Sequence, residues 1–229
     1  MKYCPTCSGS LERRAVVRGE PPRLVCTLCT RIVYENPKVL VMSLITCGAR
    51  LLLVRRATAP RAGMWAPPAG FVELGETMDA AAAREVREEA GVVVAPDQLD
   101  LHVVSNLPLI GEIYVCFRGV AESDEVRAGQ ECDDCRFFAH DEIPWQRLAY
   151  PQLTSYIDGI FVEIVRNSYS VHYTCTDQHG MRVNSYVIGK RRTLIEPAAI
   201  FEPHAKGDYF DPTQDPDGGF CDAATWRQK

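Results

Sequence analysis

The 229-residue sequence predicts a mixed α/β sandwich with a mixed sheet, preceded by a small four-cysteine zinc ribbon. Three features support this fold class: two C-x2-C pairs near the start, several short apolar segments typical of strands, and two helical segments placed among and after them. The predicted division is a zinc ribbon at 1–33, an α/β domain at 34–166, a C-terminal β-hairpin extension at 167–196, and an irregular or disordered tail at 197–229.

The composition is that of an ordinary globular chain, with 46% hydrophobic and 24% charged residues. A net charge of −5 argues against a strongly basic nucleic-acid surface, so a nucleic-acid partner is not expected. No segment approaches the ~20 apolar residues of a membrane span, and the opening MKYCPTC lacks the apolar core of a signal peptide. We therefore expect a cytoplasmic protein without a membrane partner.

The first element is the ribbon, whose candidate ligands are Cys4, Cys7, Cys26 and Cys29, with 18 residues between the two pairs. This spacing is typical of a closed four-thiolate zinc site. Some 30 residues cannot bury enough apolar surface to fold alone, so Zn²⁺ would supply the folding free energy. A disulfide or redox role and a catalytic metal are weaker alternatives, since four thiolates leave no open ligand position.

A proline-containing joint at 34–38 leads to two predicted strands, at 39–46 and 50–54. Arg55, Arg56 and Arg61 follow, beside a loop that contains Trp65. These arginines are either ordinary surface charge or contacts for substrate phosphates. Trp65 is expected to pack in the core.

The alanine- and glutamate-rich segment 77–90 predicts a helix. Glu85, Glu88 and Glu89 would share one outward face at spacings of three and four residues, whereas the apolar residues would face the core. Either this is a solvated acidic face or a hard cation such as Mg²⁺ neutralises it. Gly91 fits the left-handed position that ends a helix.

Further strands are predicted at 98–105, 112–120 and 136–139, and an amphipathic helix at 151–166. Residues 170–175 and 182–188 predict a β-hairpin, either an added sheet edge or an element of a homodimer. His172 and His179 are interpreted as structural or exposed side chains, not ligands. Cys132 and Cys135 form a third C-x2-C, interpreted as incidental buried thiols.

The segment from Gly70 to Val92, with Glu76 and the run REVREEAGV between them, is similar to the Nudix box at every fixed position. The resemblance implies a Nudix-type α/β/α sandwich at 34–166 and a hydrolase that uses Mg²⁺ or Mn²⁺. It implies that Glu85, Glu88 and Glu89 bind the metal with the Gly70 carbonyl, and that Arg84 and Glu76 orient them. An acidic residue just before a late strand, here Glu131, is similar to a further metal or base residue of the family.

The expected reaction is attack of an activated water on a diphosphate, with Glu88 or Glu131 taking the proton. The ribbon, the joint and the segments around 107–115 and 135–144 resemble plant-type FAD pyrophosphatases that also accept ADP-ribose, and Pro108 resembles a proline of ADP-ribose pyrophosphatases. The expected partner is therefore a small dinucleotide or nucleoside diphosphate derivative, FAD or ADP-ribose. Alternatives are an NADH pyrophosphatase, although its SQPWPFP-like signature is missing, an NAD-capped or mRNA-cap hydrolase, and a non-catalytic Nudix sensor.

Overall fold

The computed structural model describes residues 1–150, 153–177, 180–188 and 195–198. Contacts among them separate an N-terminal unit, Met1–Pro37, from a second unit that begins at Lys38. Within these described ranges, no helix combines the length and the apolar character needed to cross a membrane.

The N-terminal unit is a three-stranded antiparallel sheet in the order β1-β2-β3. Its strands are β1 (Leu11–Arg14), β2 (Arg23–Cys26) and β3 (Ile32–Val33). Its buried apolar residues are few: Cys4, Leu24, Val25 and Cys26. So small a core does not hold a fold by itself, which agrees with the expectation that a metal stabilises this unit.

The second unit contains a ten-stranded mixed sheet with the order β10-β5-β4-β9-β8-β11-β12-β13, to which β6 and β7 add as short strands. The strands are β4 (Lys38–Cys47), β5 (Arg50–Arg56), β6 (Trp65–Ala66), β7 (Ala69–Phe71), β8 (Asp100–Leu107), β9 (Glu112–Val120), β10 (Cys132–Phe138), β11 (Ser170–Asp177), β12 (Gly180–Ile188) and β13 (Ile195–Ala198). The pairs β4–β9 and β8–β11 are parallel, and the other pairs are antiparallel. The predicted mixed sheet is confirmed.

Two helices cover the two faces of this sheet, α1 (Met78–Ala90) and α2 (Leu153–Arg166). Strand β5 shows the division: Leu52 and Val54 pack in the cluster that contains α1, and Leu51 and Leu53 pack in the cluster that contains α2. Alternate residues of a strand point to opposite faces, so the part of β5 that the helices cover on both sides, residues 51–54, is continuously apolar. The α/β/α layering expected from the sequence is therefore present.

Strands β4 and β5 diverge after the tight turn that connects them. The loop that carries β6 and β7 lies between them, where β6 pairs with β5 and β7 pairs with β4. Only Thr46 and Cys47 pair with β5, and further along β4 the partner is β7, with Gly70 opposite Val41. Trp65 is buried in the α2-side cluster, as expected. The arrangement places Gly70 at the sheet surface on which α1 packs.

The C-terminal hairpin extends the main sheet. Strand β11 pairs in parallel with β8 and antiparallel with β12, which in turn pairs with β13. The first two residues assigned to an irregular tail, Pro197 and Ala198, belong to β13, because ladder bonds to Ser185 and Tyr186 hold them extended. The rest of the predicted tail, residues 199–229, and His179 lie outside the described residues.

Candidate metal-dependent active site

Helix α1 presents the candidate site and is well defined at both ends. The Thr77 hydroxyl accepts a hydrogen bond from the Ala80 amide at 3.4 Å, which caps the first turn. Gly91 ends the helix with φ 69°, and its amide donates to the Arg87 carbonyl, as the sequence predicts. The buried residues are Ala81, Ala82, Ala83, Val86, Glu89 and Ala90. Small side chains let the helix approach the sheet closely, which fixes the position of its acidic residues.

Arg84 lies at the centre of the glutamates. Its guanidinium is 2.8 Å from Glu76, 2.7 Å from Glu85 and 3.2 Å from Glu88. It also donates to the Phe71 carbonyl at 3.0 Å, so it joins the helix to the loop that precedes it. Hydrogen bonds from Arg84 are the main reason that the pKa of Glu76 lies below its usual range. The planar, multidentate head of arginine suits this bridging role, for which the single ammonium of lysine has the wrong shape.

Glu85 and Gly70 are in direct contact. A Cβ placed on Gly70 would lie 2.1 Å from the Glu85 Oε1, a separation that no real Cβ tolerates. Glycine is therefore required here by the close approach of a carboxylate to the backbone of β7. Burial raises the pKa of Glu85 even though Arg84 and its positive charge oppose this.

Glu89 differs from the expected outward-facing residue, because its side chain is buried and only 8% of the residue is exposed. The Ala69 amide donates to its Oε2 at 3.0 Å. Burial raises the pKa of this carboxyl to about 8, while the Ala69 amide and the charge of Arg56 act in the opposite direction. Helix α1 is thus oriented so that Glu89, one of the three candidate metal ligands, lies beneath the loop segment that contains Ala69. Helical spacing predicts which residues share a face but not how deeply the face is buried.

Glu88 and Glu131 lie at the open side of the site. The Glu88 side chain is 52% exposed, and Glu131 is exposed just before β10. The charge of Glu131 is close enough to raise the pKa of both Glu85 and Glu89. The structure therefore brings together all the residues that the sequence singles out here: Gly70, Glu76, Arg84, Glu85, Glu88, Glu89 and Glu131.

Gly129 is a site residue that the sequence analysis missed. Its amide donates to the Glu89 carbonyl at 3.0 Å, and a Cβ at this position would lie 1.8 Å from the Glu88 carbonyl oxygen. The loop before β10 thus rests directly on the last turn of α1, two residues before Glu131. In the sequence, Gly129 stands two residues before the candidate residue Glu131, which is a signal for a tight loop. The neighbouring residues do not indicate which surface this glycine contacts.

The donor set fits a hard divalent cation. All the candidate ligands on α1 are carboxylates, and one of them, Glu89, is buried in an environment that disfavours its charge. Oxygen ligands of this kind are those of Mg²⁺ and Mn²⁺. In the structure Arg84 bridges the carboxylates and offsets part of their repulsion.

The four cysteines of the N-terminal unit form a second candidate metal centre, with their sulfur atoms within 4.8 Å of one another. Cys4 and Cys29 are 3.7 Å apart, and Cys7 and Cys26 are 3.4 Å apart. Hydrogen bonds from the Thr6 and Cys7 amides lower the pKa of Cys4, the former being the larger cause, and thus favour the thiolate that binds a metal. This geometry fits a tetrahedral Zn²⁺ site. Cys132 and Cys135, by contrast, are buried in the α1-side core, as expected for incidental thiols.

Known families and relatives agree with this architecture. A model of the NUDIX domain matches residues 35–157, and the zinc-ribbon model described as Nudix N-terminal matches residues 2–35. A NUDIX hydrolase from Nitrosomonas europaea has a TM-score of 0.72 and 34% identity, covering 76% of this chain and 98% of that chain.

Two curated relatives have more specific names. The ADP-ribose pyrophosphatase of Methanocaldococcus jannaschii is 33% identical over 115 residues, 49% of this chain and 68% of that protein. The NAD-capped RNA hydrolase NudC of Stutzerimonas stutzeri is 31% identical over 147 residues, 62% of this chain and 50% of that protein. The chain spans about a third to a half of the length of the NAD-capped RNA hydrolases that it matches. Since the NUDIX model covers more than half of the sequence, the chain belongs to the Nudix family and carries the zinc-ribbon module of that family at its N-terminus.

Proposed function

We propose that this protein is a metal-dependent pyrophosphatase that hydrolyses the diphosphate of a small ADP-linked compound, with ADP-ribose as the first candidate. The observation that carries the proposal is the cluster of Glu85, Glu88 and Glu89 on one rigid helix, with Glu85 packed on Gly70. Diphosphate hydrolysis needs positive charge on the phosphoryl oxygens and an activated water, and clustered carboxylates on a fixed helix hold the cations that provide both.

Arg84, Glu88 and Glu131 have distinct roles in the proposed reaction. Arg84 holds Glu85 and Glu88 at fixed positions through its guanidinium. Glu88 and Glu131 are the two candidates for taking the proton of the attacking water, because both are accessible at the open side of the site. Divalent cations, when bound, stabilise the charge that develops on the diphosphate and make water more acidic.

ADP-ribose is preferred because, of the two curated relatives described above, the one matched over the larger share of its length, 68% against 50%, is named an ADP-ribose pyrophosphatase. Pro108, which resembles a proline of such enzymes, lies in the turn between β8 and β9. The products would be AMP and ribose 5-phosphate. FAD, the other substrate suggested by the sequence, shares the ADP half and remains a prediction, since the relatives compared are named for ADP-ribose and NAD.

The second candidate is an NAD-type substrate, including NAD-capped RNA. Its support is the match to the NudC of Stutzerimonas stutzeri, which extends over 62% of this chain. The net charge of −5 counts against a long RNA groove, because RNA affinity depends on basic residues that contact phosphates.

The decisive experiment is product analysis by chromatography after incubation with Mg²⁺ or Mn²⁺ and, in parallel, ADP-ribose, FAD, NADH and an NAD-capped oligonucleotide. AMP and ribose 5-phosphate formed fastest from ADP-ribose would support the proposal. Faster release of nicotinamide mononucleotide or of 5′-monophosphate RNA would favour the second candidate.

Two variants test whether activity depends on the carboxylates of helix α1. Glu88→Gln should lower turnover by orders of magnitude, whereas Glu12→Gln, which changes an exposed glutamate of β1 in the N-terminal unit, should leave it unchanged. If all four compounds remain intact while one of them binds, the domain would act as a nucleotide sensor and the hydrolase proposal would fail.

A further inference from the structure

A second cluster of buried polar side chains lies among β8, α2 and β11, elements that contribute none of the candidate active-site residues. It consists of His102, Glu163 and His172, whose ligand atoms all lie within 4.8 Å of one another. His102 is 1% exposed, Glu163 is 6% exposed, and the His172 side chain is 12% exposed. Buried ionisable groups are rare unless they are paired or bind a metal, so this cluster requires an explanation.

The distances within the cluster are close to those between the ligands of one metal ion. His102 Nδ1 is 3.5 Å from Glu163 Oε2, and His172 Nε2 is 3.1 Å from Glu163 Oε1, with which it forms a hydrogen bond. Ligands at about 2.0–2.2 Å from a tetrahedral Zn²⁺ are roughly 3.3–3.6 Å apart. The two imidazole rings are 5.2 Å apart and nearly perpendicular, in an edge-to-face arrangement.

Two atoms that face each other in the cluster lack hydrogen bonds. Within the part of the chain that the structure describes, neither His102 Nδ1 nor Glu163 Oε2 has a hydrogen-bond partner. Such buried atoms are costly to leave unsatisfied. The other carboxylate oxygen, Oε1, accepts a hydrogen bond from the Ser170 amide at 3.0 Å, which fixes the carboxylate with Oε2 directed at His102.

His102 and Glu163 approach each other without forming a hydrogen bond. His102 Nδ1 and Glu163 Oε2 are 3.5 Å apart, and neither atom has a hydrogen-bond partner among the described residues. A cation bound between these two atoms would satisfy both of them.

Beside the two histidines is a cavity of about 30 Å³, also lined by Ser155 and Thr174. This volume is sufficient for one water molecule. A small fourth ligand therefore has room beside the two imidazoles.

We propose that His102, Glu163 and His172 form a buried Zn²⁺ site, with a water as fourth ligand, that fastens α2 and the β11 extension to β8. Two imidazoles and one carboxylate are a ligand set that Zn²⁺ accepts. Glu163 and His172 lie beyond residues 35–157, the part that matches the NUDIX model, so two of the three ligands are outside the region that matches the family. No sequence motif indicates the site, because its ligands are far apart in the chain and the parallel pairing of β11 with β8 brings His172 beside His102.

The test is the zinc content of the full chain in a Cys26→Ser background, in which the ribbon cannot bind its metal tightly. The expected result is about one zinc per chain, lost on adding Glu163→Gln or His102→Gln. His140→Gln is the matched control, because His140 is an exposed histidine bonded to Asp158 of α2 and should not affect the metal. Glu163→Gln keeps the size of the side chain and an oxygen for the Ser170 amide, so folding should be preserved. His172→Gln, near the surface, gives a second ligand variant.

Cobalt substitution and chelation identify the ligands independently. Co²⁺ bound to Cys26→Ser protein should show visible d–d absorption without a thiolate charge-transfer band, and EDTA should lower the melting temperature of this protein but not that of Cys26→Ser/Glu163→Gln. Equal zinc content in Cys26→Ser protein with and without Glu163→Gln would overturn the proposal and leave a metal-free His-Glu-His hydrogen-bond network. A visible Co²⁺ spectrum of the Cys26→Ser protein that Glu163→Gln leaves unchanged would overturn it too, since the metal would then lie elsewhere.

Discussion

Arg84 sets the geometry of the candidate active site at the scale of single residues. Three carboxylates on one helix face repel one another, and the side chain that offsets this repulsion is donated by the same helix. Arg84 contacts Glu76, Glu85 and Glu88 at once and reaches the Phe71 carbonyl. A residue with this many contacts holds the other side chains in place before any substrate arrives, which is the kind of preorganisation that catalysis requires.

Glu89 gives a pH-dependent prediction. In the unfolded chain its carboxyl loses a proton near pH 4 to 5, whereas in the metal-free folded protein burial raises its pKa to about 8. Between these values the folded state binds more protons, so the free energy of unfolding falls as the pH rises and levels off above pH 8. Glu89→Gln removes this loss, and the variant should be the more stable protein at pH 8 by on the order of a few kcal/mol.

Urea unfolding of both proteins in EDTA from pH 4 to pH 9 measures the effect. The ribbon and all other groups are common to the two proteins, so the difference between their curves isolates Glu89. If the two curves of unfolding free energy against pH stay parallel over this range, the Glu89 carboxyl has the same pKa in the folded and unfolded states, and the prediction is wrong.

At the scale of elements, the loop before β10 and helix α1 act as one assembly. Gly129 allows the loop backbone to touch the Glu88 carbonyl, and this contact places Glu131 near the other carboxylates. We expect Gly129→Ala to lower kcat 10-fold or more without unfolding the domain, because the added methyl group displaces the loop. Glu131→Gln should lower kcat as well. The kcat of the double variant should be only slightly below that of the less active single variant, since both changes affect the same group.

Steady-state kinetics with the substrate identified by product analysis, together with circular dichroism of each variant, test this coupling. Fully multiplicative losses would mean that Gly129 acts on something other than Glu131.

The zinc ribbon is an element whose stability should depend on its metal. Cys26→Ser should reduce the zinc content by one per chain and unfold the unit Met1–Pro37, whose apolar core is small. The α/β unit should keep its fold, because its core contains none of these residues. Cys47→Ser is the matched control, a cysteine of β4 that lies outside the sulfur cluster.

Limited proteolysis with mass spectrometry and metal analysis distinguish the two variants. Cleavage confined to the first 37 residues is expected for Cys26→Ser and no change for Cys47→Ser. Unchanged zinc content in Cys26→Ser would refute a four-thiolate site.

In the whole α/β unit, the candidate site lies on the α1 face of the sheet, and α2 covers the opposite face. Ile157 of α2 is fully buried opposite the α1 side, whereas Val165 of the same helix is 86% exposed. Ile157→Ala should lower the free energy of unfolding by about 2–5 kcal/mol, and Val165→Ala by less than about 0.5 kcal/mol. Because the candidate site lies on α1, kcat per folded molecule should be unchanged in both. Thermal unfolding measures the change in stability, and turnover rates divided by the concentration of folded protein give kcat. A large loss of kcat in Ile157→Ala would show that the two faces of the sheet are coupled.

Local patterns in the sequence predict the main strands and helices and identify the glutamate and cysteine clusters. Strand β9, predicted at 112–120, is present as Glu112–Val120, and the helix predicted at 77–90 is present as Met78–Ala90, with Gly91 at its end. Such signals are local: apolar alternation, helix-favouring residues, a left-handed glycine and the spacing of cysteines or glutamates within one segment. They are readable in the sequence because each depends on residues within a few positions of one another.

How these elements meet depends on tertiary packing, which local sequence patterns do not reveal. It buries Glu89, seats Gly129 on α1, and brings His172 beside His102 across 70 residues of chain. The side chain of a buried glutamate and that of an exposed one look identical in sequence, and a glycine gives no sign of the surface that it touches. Burial, close approach and distant pairing arise from packing of whole elements against each other, and that packing sets the pKa of a carboxylate and the ligands of a metal.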